Sequence, residues 1–114
     1  MNSLKSLAGL VLGVAMTCAP AVAGEIVLNS DQSDPAPKKA MEQLIADFEK
    51  ANPGVTVKWN NFDHEGYKAA IRNFLTADPP DVAAWYAGNR MAPFVKAGLF
   101  EDVTDVWTAN GLDD

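Results

Sequence analysis

Two adjacent aromatic residues, Trp85 and Tyr86, are the side chains of this chain best suited to contact a ligand. They follow a short apolar segment that begins after Asp78-Pro79-Pro80, and Asn89 comes three residues later. An aromatic ring can cover the apolar C–H face of a sugar ring, while amides and carboxylates hydrogen-bond to its hydroxyl groups. Because most Trp and Tyr residues in any domain only contribute to the core, the local pattern by itself leaves both interpretations open.

Polar side chains also follow the two earlier predicted strands, residues 25–29 and 55–60. In an open α/β sheet, ligands bind outside the carboxyl ends of the strands, so we expect these loops to meet. They hold amides, carboxylates, hydroxyls and aromatics, with little positive charge before Arg90, which favours a neutral polyhydroxylated ligand. The predicted ligand-binding residues are Asp31, Asn61, His64, Glu65, Trp85, Tyr86 and Asn89.

Catalytic and metal-binding chemistry is disfavoured by the residue pattern. The chain has one histidine, His64, and Asp63 beside it is better explained as a helix cap, so a metal site is weakly supported. Asp31 and Glu65 could form the carboxylate pair of a glycosidase, but simple hydrogen-bond acceptance is the favoured interpretation. No phosphate-cradling glycine loop or nucleophile elbow is present in the sequence. We therefore expect no catalytic residue, no metal and no cofactor.

The first 23 residues have the pattern of a secretory signal peptide. Lys5 precedes an apolar run at residues 7–16, and Ala21-Val22-Ala23 offers a cleavage site after Ala23. The run is too short to span a bilayer, and the residues before Cys18 do not form a lipobox. The pattern predicts export to the periplasm with no membrane insertion.

Composition limits the classes of partner. The chain has 9 basic and 15 acidic residues and a formal net charge of −6, which disfavours binding to nucleic acid or anionic lipid. The only cysteine, Cys18, lies in the predicted signal peptide, so the exported part should contain no disulfide. Residues 24–114 could make at most one small domain, and we expect them to be the front part of a longer protein.

The predicted elements alternate between strand and helix. Strands are expected at residues 25–29, 55–60 and 81–85, each followed by a helix. Helices that join successive strands require right-handed crossovers, so the sheet should be mainly parallel and covered on both faces, in three α/β/α layers.

Capping and periodicity define the helices. Asp34 should cap the first helix, whose stripe of Met41, Leu44, Ile45 and Phe48 faces the sheet, and Asp63 should cap the second. Phe62 and Tyr67 have the spacing of a hydrophobic staple around Asp63, and Tyr67 begins the second stripe with Ala70, Ile71, Phe74 and Leu75. The third helix should end at Gly98, but its start is ambiguous. Asn89 would be a good cap, yet a helix that starts there places Pro93 beyond the positions where a proline is tolerated. Leu99 and Phe100 should return to the core. A fourth, short helix should begin near Thr104.

These segments together resemble the extracellular solute-binding proteins of ABC importers, in their sugar-specific, maltose-binding-like branch. The resemblance lies in the order and spacing of several pieces along nearly the whole exported chain. The pieces are the signal, Ile26-Val27-Leu28, the helix end FEKANPG at residues 48–54, Val55-Thr56-Val57, YKAAI at residues 67–71, PPDV at residues 79–82, and VKAGLF at residues 95–100.

The resemblance implies a two-lobed, periplasmic-binding-protein-like fold that closes over its ligand, of which this chain would be part of the N-terminal lobe. It implies a monomeric, non-enzymatic substrate-binding component that captures a sugar or oligosaccharide and delivers it to a membrane permease. By position, Trp85, Tyr86 and Asn89 match the family's cleft residues, and Asp31, His64 and Glu65 match less closely. Two alternatives stay open: an exported glycoside hydrolase, or the same fold with a polyamine, peptide or metal complex as ligand.

Overall fold

The computed structural model describes residues 23–112 and shows a three-stranded parallel sheet with helices on both of its faces. The predicted signal residues 1–22, and Asp113 and Asp114, lie outside the described residues. The elements are β1 (Gly24–Ser30), α1 (Pro35–Ala51), β2 (Val55–Asn61), α2 (His64–Ala77), β3 (Val82–Ala83), a 3₁₀-helix (Gly88–Arg90), α3 (Ala92–Lys96) and α4 (Thr104–Ala109).

The sheet has the strand order β2-β1-β3, with both pairings parallel. The β1–β2 ladder runs from Gly24 opposite Val55 to Ser30 opposite Asn61, so both strands end at the same edge. The predicted parallel α/β fold is confirmed, and it brings the loops after the three strands to one side of the molecule.

The third strand is shorter than the predicted segment 81–85. Only Val82 and Ala83 pair with β1. Asp81 is not part of the strand ladder. Its side-chain Oδ2 accepts a hydrogen bond from the Val27 amide at 2.8 Å. After β3, the Ala84 amide still donates to the Asn29 carbonyl at 2.9 Å, but Trp85 has already left the strand. The prediction of a five-residue strand was therefore wrong at both of its ends.

Helix α2 carries the buried core of the described residues. Tyr67, Ile71 and Leu75 are buried and form a cluster with Phe94 of α3. Around this cluster pack partly buried side chains that include the predicted Leu99 and Phe100. The spacing of apolar residues on α2 therefore predicted its buried face correctly.

The start of α2 also matches its prediction. Asp63 is the N-cap, and its Oδ1 accepts the Gly66 amide at 2.8 Å. The rings of Phe62 and Tyr67 stack with centroids 5.6 Å apart, which confirms the hydrophobic staple.

Helix α1 lies on the opposite face of the sheet from α2. Successive strand residues point to opposite faces, and Val82 faces α1 while Ala83 packs with the α2 cluster. Asp34 is the N-cap residue of α1, as predicted, but its side chain makes no capping hydrogen bond. Pro37 at the third helical position has no amide to donate to such a cap, which leaves only the Ala36 amide as a possible donor.

The third predicted helix is divided in two. Asn89 lies inside the 3₁₀-helix and does not cap α3, whose N-cap is Met91 and whose second residue is Pro93. This division removes the conflict between Asn89 and Pro93, because the proline now falls in a first turn where no amide partner is needed. The left-handed φ of Gly98, 71°, ends α3 as expected.

None of the helices within residues 23–112 combines the length and the apolar character needed to cross a membrane.

Candidate ligand-binding site

Three predicted site residues from three different loops meet at the carboxyl edge of the sheet. His64 Nδ1 lies 2.7 Å from Asp31 Oδ2, and the Tyr86 hydroxyl lies 3.3 Å from the same oxygen. The Tyr86 hydroxyl is also 3.1 Å from His64 Nδ1, and the two rings meet edge to face. We call Asp31, His64 and Tyr86 the edge cluster.

The fold positions each member of the edge cluster through the end of a different element. Asp31 follows the last residue of β1, His64 is the first residue of α2, and Tyr86 comes three residues after β3. Side chains tie β1 to β2 just before the loops: Asn60 donates to Asn29 at 2.8 Å and the Trp59 indole donates to Ser30 at 2.7 Å. Because both strand ends are fixed, the geometry of the cluster is set by the sheet.

The protonation states in the cluster follow from its hydrogen bonds. Partial burial, followed by the charge of Asp31 and the hydrogen bond to it, raises the pKa of Tyr86, so its hydroxyl remains a donor. A carboxylate can only accept, so in the short contact His64 Nδ1 is the donor and Asp31 is the acceptor. The Asp31 side chain is 12% exposed and that of His64 is 48% exposed, so His64 is the more accessible of the two to a ligand.

Trp85 and Tyr86 have different surroundings. Trp85 packs edge to face against Tyr67 and Phe94, and its indole donates to the Arg90 carbonyl at 3.1 Å. One side of Trp85 therefore belongs to the core, as the more ordinary interpretation of an aromatic residue would have it. Its ring centroid is 5.3 Å from that of Tyr86, so the core fixes Trp85 and Trp85 supports the edge cluster.

Arg90 is at the site and was not among the predicted site residues. Its guanidinium lies 4.8 Å from the centroid of the Tyr86 ring, a cation–π geometry. The sequence contained a usable signal, since Arg90 is the first cation after the third strand and directly follows Asn89.

The other predicted residues lie at the same edge without joining the cluster's hydrogen bonds. Glu65 is paired with Lys68 at 2.7 Å and stands 3.9 Å from His64 Nε2. Asn61 donates from Nδ2 to the Gln32 carbonyl at 2.9 Å and is partly buried, whereas Asn89 is exposed in the 3₁₀-helix. Their roles in binding stay predictions.

Both acidic residues of the predicted site have basic or hydroxyl partners. The hydrogen bond and charge of Lys68 lower the pKa of Glu65. Asp31 is engaged by His64 and Tyr86. Within residues 23–112, no group of three or more His, Cys, Asp or Glu side chains is placed to hold a metal ion. The arrangement can accept and donate hydrogen bonds beside aromatic rings, which is the chemistry of a polar-ligand site.

The described residues form a parallel α/β sheet with a polar cluster at the carboxyl ends of its strands, the edge at which such sheets usually bind ligands. The model of the bacterial extracellular solute-binding protein family matches residues 32–114. The chain belongs to this family, as the resemblance of its sequence segments predicted.

Two relatives support this assignment. The chain is 32% identical over 75 residues to an uncharacterised ABC transporter extracellular-binding protein of Pyrococcus horikoshii. It is 35% identical to the bacterial solute receptor AcbH, with a TM-score of 0.68, and the crystal structures of AcbH are described as revealing an exclusive preference for β-D-galactopyranose. The matches cover 62% and 75% of this chain but only 17% and 22% of the two relatives.

Proposed function

We propose that this chain is part of the N-terminal lobe of the substrate-binding component of an ABC importer. The component captures a sugar or oligosaccharide in the periplasm and delivers it to the membrane permease. Family membership supports the transport role, and the meeting of Asp31, His64 and Tyr86 at the strand ends is the observation that carries the site. The relative with a galactopyranose preference makes a hexose the first ligand to test.

The edge cluster suits a sugar for two reasons. Aromatic rings cover C–H faces at low entropic cost, and Tyr86 stands beside Trp85 at the rim. The hydroxyl proton of Tyr86 is directed at Asp31, so the Tyr86 oxygen and the half-exposed His64 ring remain as polar groups that can hydrogen-bond to sugar hydroxyls. In this role the remaining predicted residues Asn61, Glu65, Trp85 and Asn89 line the same edge, and Arg90 is added to them.

A ligand assay on the full-length mature protein tests the proposal. A sugar at 100 times its Kd should stabilise the folded state by about 2.7 kcal/mol, seen as a rise in Tm, and calorimetry should give one site per chain. The panel should contain galactose, glucose, maltose, a polyamine and a short peptide. A rise with the polyamine or peptide alone would replace the sugar proposal with the alternative of a non-sugar solute.

The enzyme alternative is tested in the same samples. We expect no release of nitrophenol from nitrophenyl glycosides above the rate of a buffer blank. Turnover that is lost in Glu65→Gln but kept in the matched exposed variant Glu42→Gln would contradict a binding-only role.

A further inference from the structure

The amide of Val57 on β2 is satisfied by a side chain where a neighbouring strand would otherwise bond to it. Strand β2 lies at one margin of the sheet, and its only strand neighbour among the described residues is β1. The Phe62 amide donates to the Ser30 carbonyl at 2.9 Å, so alternation along β2 directs the Val57 amide away from β1. Glu49 Oε1 accepts this amide at 2.7 Å. We call the side of β2 that faces away from β1 its outer side.

Glu49 has an unusual place for a charged residue of α1. It follows Ile45 of the sheet-facing stripe by four residues, so it lies on the same face of the helix. Glu49 is partly buried, whereas every other charged residue of α1 is exposed. A carboxylate that leaves water is costly unless it is hydrogen-bonded, and the Val57 amide supplies such a bond.

The chain closes the first part of the outer side of β2 with its own groups. The Val55 amide donates to the Asn52 carbonyl at 3.0 Å, and the Val57 amide donates to Glu49. Unpaired strand amides are places where another strand can add to a sheet, and a charged side chain at the margin opposes this. A strand that approached the outer side of β2 would have to displace the Glu49 carboxylate from the Val57 amide.

The strand best suited to pair with this outer side is β2 of a second copy. Residues 55–59 have the sequence VTVKW, in which valine, threonine and tryptophan are types enriched in strands. A twofold axis beside the strand would pair β2 with its counterpart in the antiparallel direction and would make both halves of the contact identical.

We propose that Glu49 guards the outer side of β2: its carboxylate holds the Val57 amide and prevents β2 from pairing with β2 of a second copy. Removal of this carboxylate therefore allows the full-length protein to form a dimer that is joined through its two β2 strands. The proposal concerns assembly and is independent of which solute the edge cluster binds.

Amide hydrogen exchange in the full-length protein tests the hydrogen bond. At low protein concentration, Glu49→Ala should raise the exchange rate of the Val57 amide at least about tenfold, because the acceptor is lost. Glu49→Gln should keep the protection, since its side-chain oxygen can still accept. The Lys58 amide, which faces β1, should exchange at the same rate in both variants, which shows that the effect is local. Glu42→Ala is the matched control, because Glu42 is exposed on the same helix.

Analytical ultracentrifugation of the same samples tests the assembly. Glu49→Ala should form a dimer as its concentration is raised, whereas the wild-type protein and Glu42→Ala should stay monomeric. Adding Val57→Pro to Glu49→Ala should restore the monomer, because a proline has no amide to donate to a new strand and is tolerated on an edge strand.

An unchanged exchange rate of the Val57 amide in Glu49→Ala would overturn the proposal, and so would a monomer at every concentration of that variant. A dimer that persists after Val57→Pro is added would also overturn it, because the contact would then lie elsewhere. If Glu49→Ala does not fold, Glu49→Leu carries the same expectations, since it fills the space of the side chain without an acceptor.

Discussion

Asp31 is placed to act through its neighbours more than by direct contact with a ligand. One of its oxygens receives His64 and Tyr86 together, and its side chain is largely covered. A carboxylate in this position fixes the ring orientation of His64 and the direction of the Tyr86 hydroxyl. The sequence predicted all three as ligand-binding residues but could not show that one of them organises the other two.

Asp31→Ala should weaken sugar binding by the full-length protein about tenfold or more, since a hydrogen bond to a charged group contributes about 1.5–3 kcal/mol. Isothermal titration calorimetry measures the change. Asp47→Ala is the control, because Asp47 is an exposed acceptor on α1 and is bonded to Gln43, outside the cluster. An unchanged Kd in Asp31→Ala would remove the edge cluster from the binding site.

Tyr67 should make stability depend on pH in alkaline solution. Burial, with a smaller effect of the Asp31 charge, raises the pKa of Tyr67 to about 12, and its hydroxyl donates to the Asn29 carbonyl. The unfolded state loses this proton near pH 10 while the folded state keeps it. The stabilisation is therefore complete below about pH 10 and is lost as the pH rises to about 12. Over this range the free energy of unfolding falls by at most about 1.4 kcal/mol per pH unit.

Tyr67→Phe isolates this effect. The variant should show a shallower fall in the free energy of unfolding between pH 9 and 11, measured by urea denaturation. The Asn29 carbonyl keeps the Ala84 amide as a partner, so the variant should still fold. Identical slopes in the two proteins would mean that Tyr67 does not titrate in this range.

At the scale of elements, local signals decided the start of α2 and tertiary contacts decided the length of β3. The cap of Asp63 and the staple of Phe62 with Tyr67 depend only on residues close in sequence, so the pattern predicted them correctly. The strand predicted at 81–85 stops early because Asp81 binds the Val27 amide and Trp85 turns into the core. The Val27 amide and most of the core cluster come from other parts of the chain, so a local sequence pattern does not reveal these contacts.

Gly66 at the third position of α2 offers a test of the cap. A Cβ there would stand 2.6 Å from Asp63 Oδ2, so Gly66→Ala should break the cap and cost about 1 kcal/mol of stability. In an Asp63→Ala background the same change should instead stabilise by up to about 1 kcal/mol, because alanine favours helices over glycine. Chemical denaturation of the four proteins in this cycle measures both effects.

The reversal of sign is the decisive part of this cycle. If Gly66→Ala stabilises or destabilises equally in both backgrounds, the Asp63 carboxylate does not restrict this position.

At the scale of the whole molecule, the described residues present the edge cluster on one side and an α1 face that is not covered. The edge cluster lies at the surface of a single sheet edge, and Leu44 on the sheet-facing side of α1 is largely exposed. In the proposed importer component, ligand affinity comes from contacts that both lobes make in the closed state.

Residues 24–114 alone should therefore bind sugar at least about tenfold more weakly than the full-length protein, given the missing opposing contacts. Calorimetry of both forms under the same conditions measures the difference, with circular dichroism as the control for folding. Micromolar binding by residues 24–114 would show that one wall is sufficient.

The sequence alone determined the parallel α/β order, the buried face of α2 and the family, because periodicity, caps and segment spacing are local or additive properties. Only the tertiary structure decided that Asp31, His64 and Tyr86 form one hydrogen-bonded cluster and that Arg90 covers Tyr86. It also decided that the α1 stripe faces a hollow and not a closed core. These features depend on distances between segments far apart in the chain, and a sheet must be assembled before such distances exist.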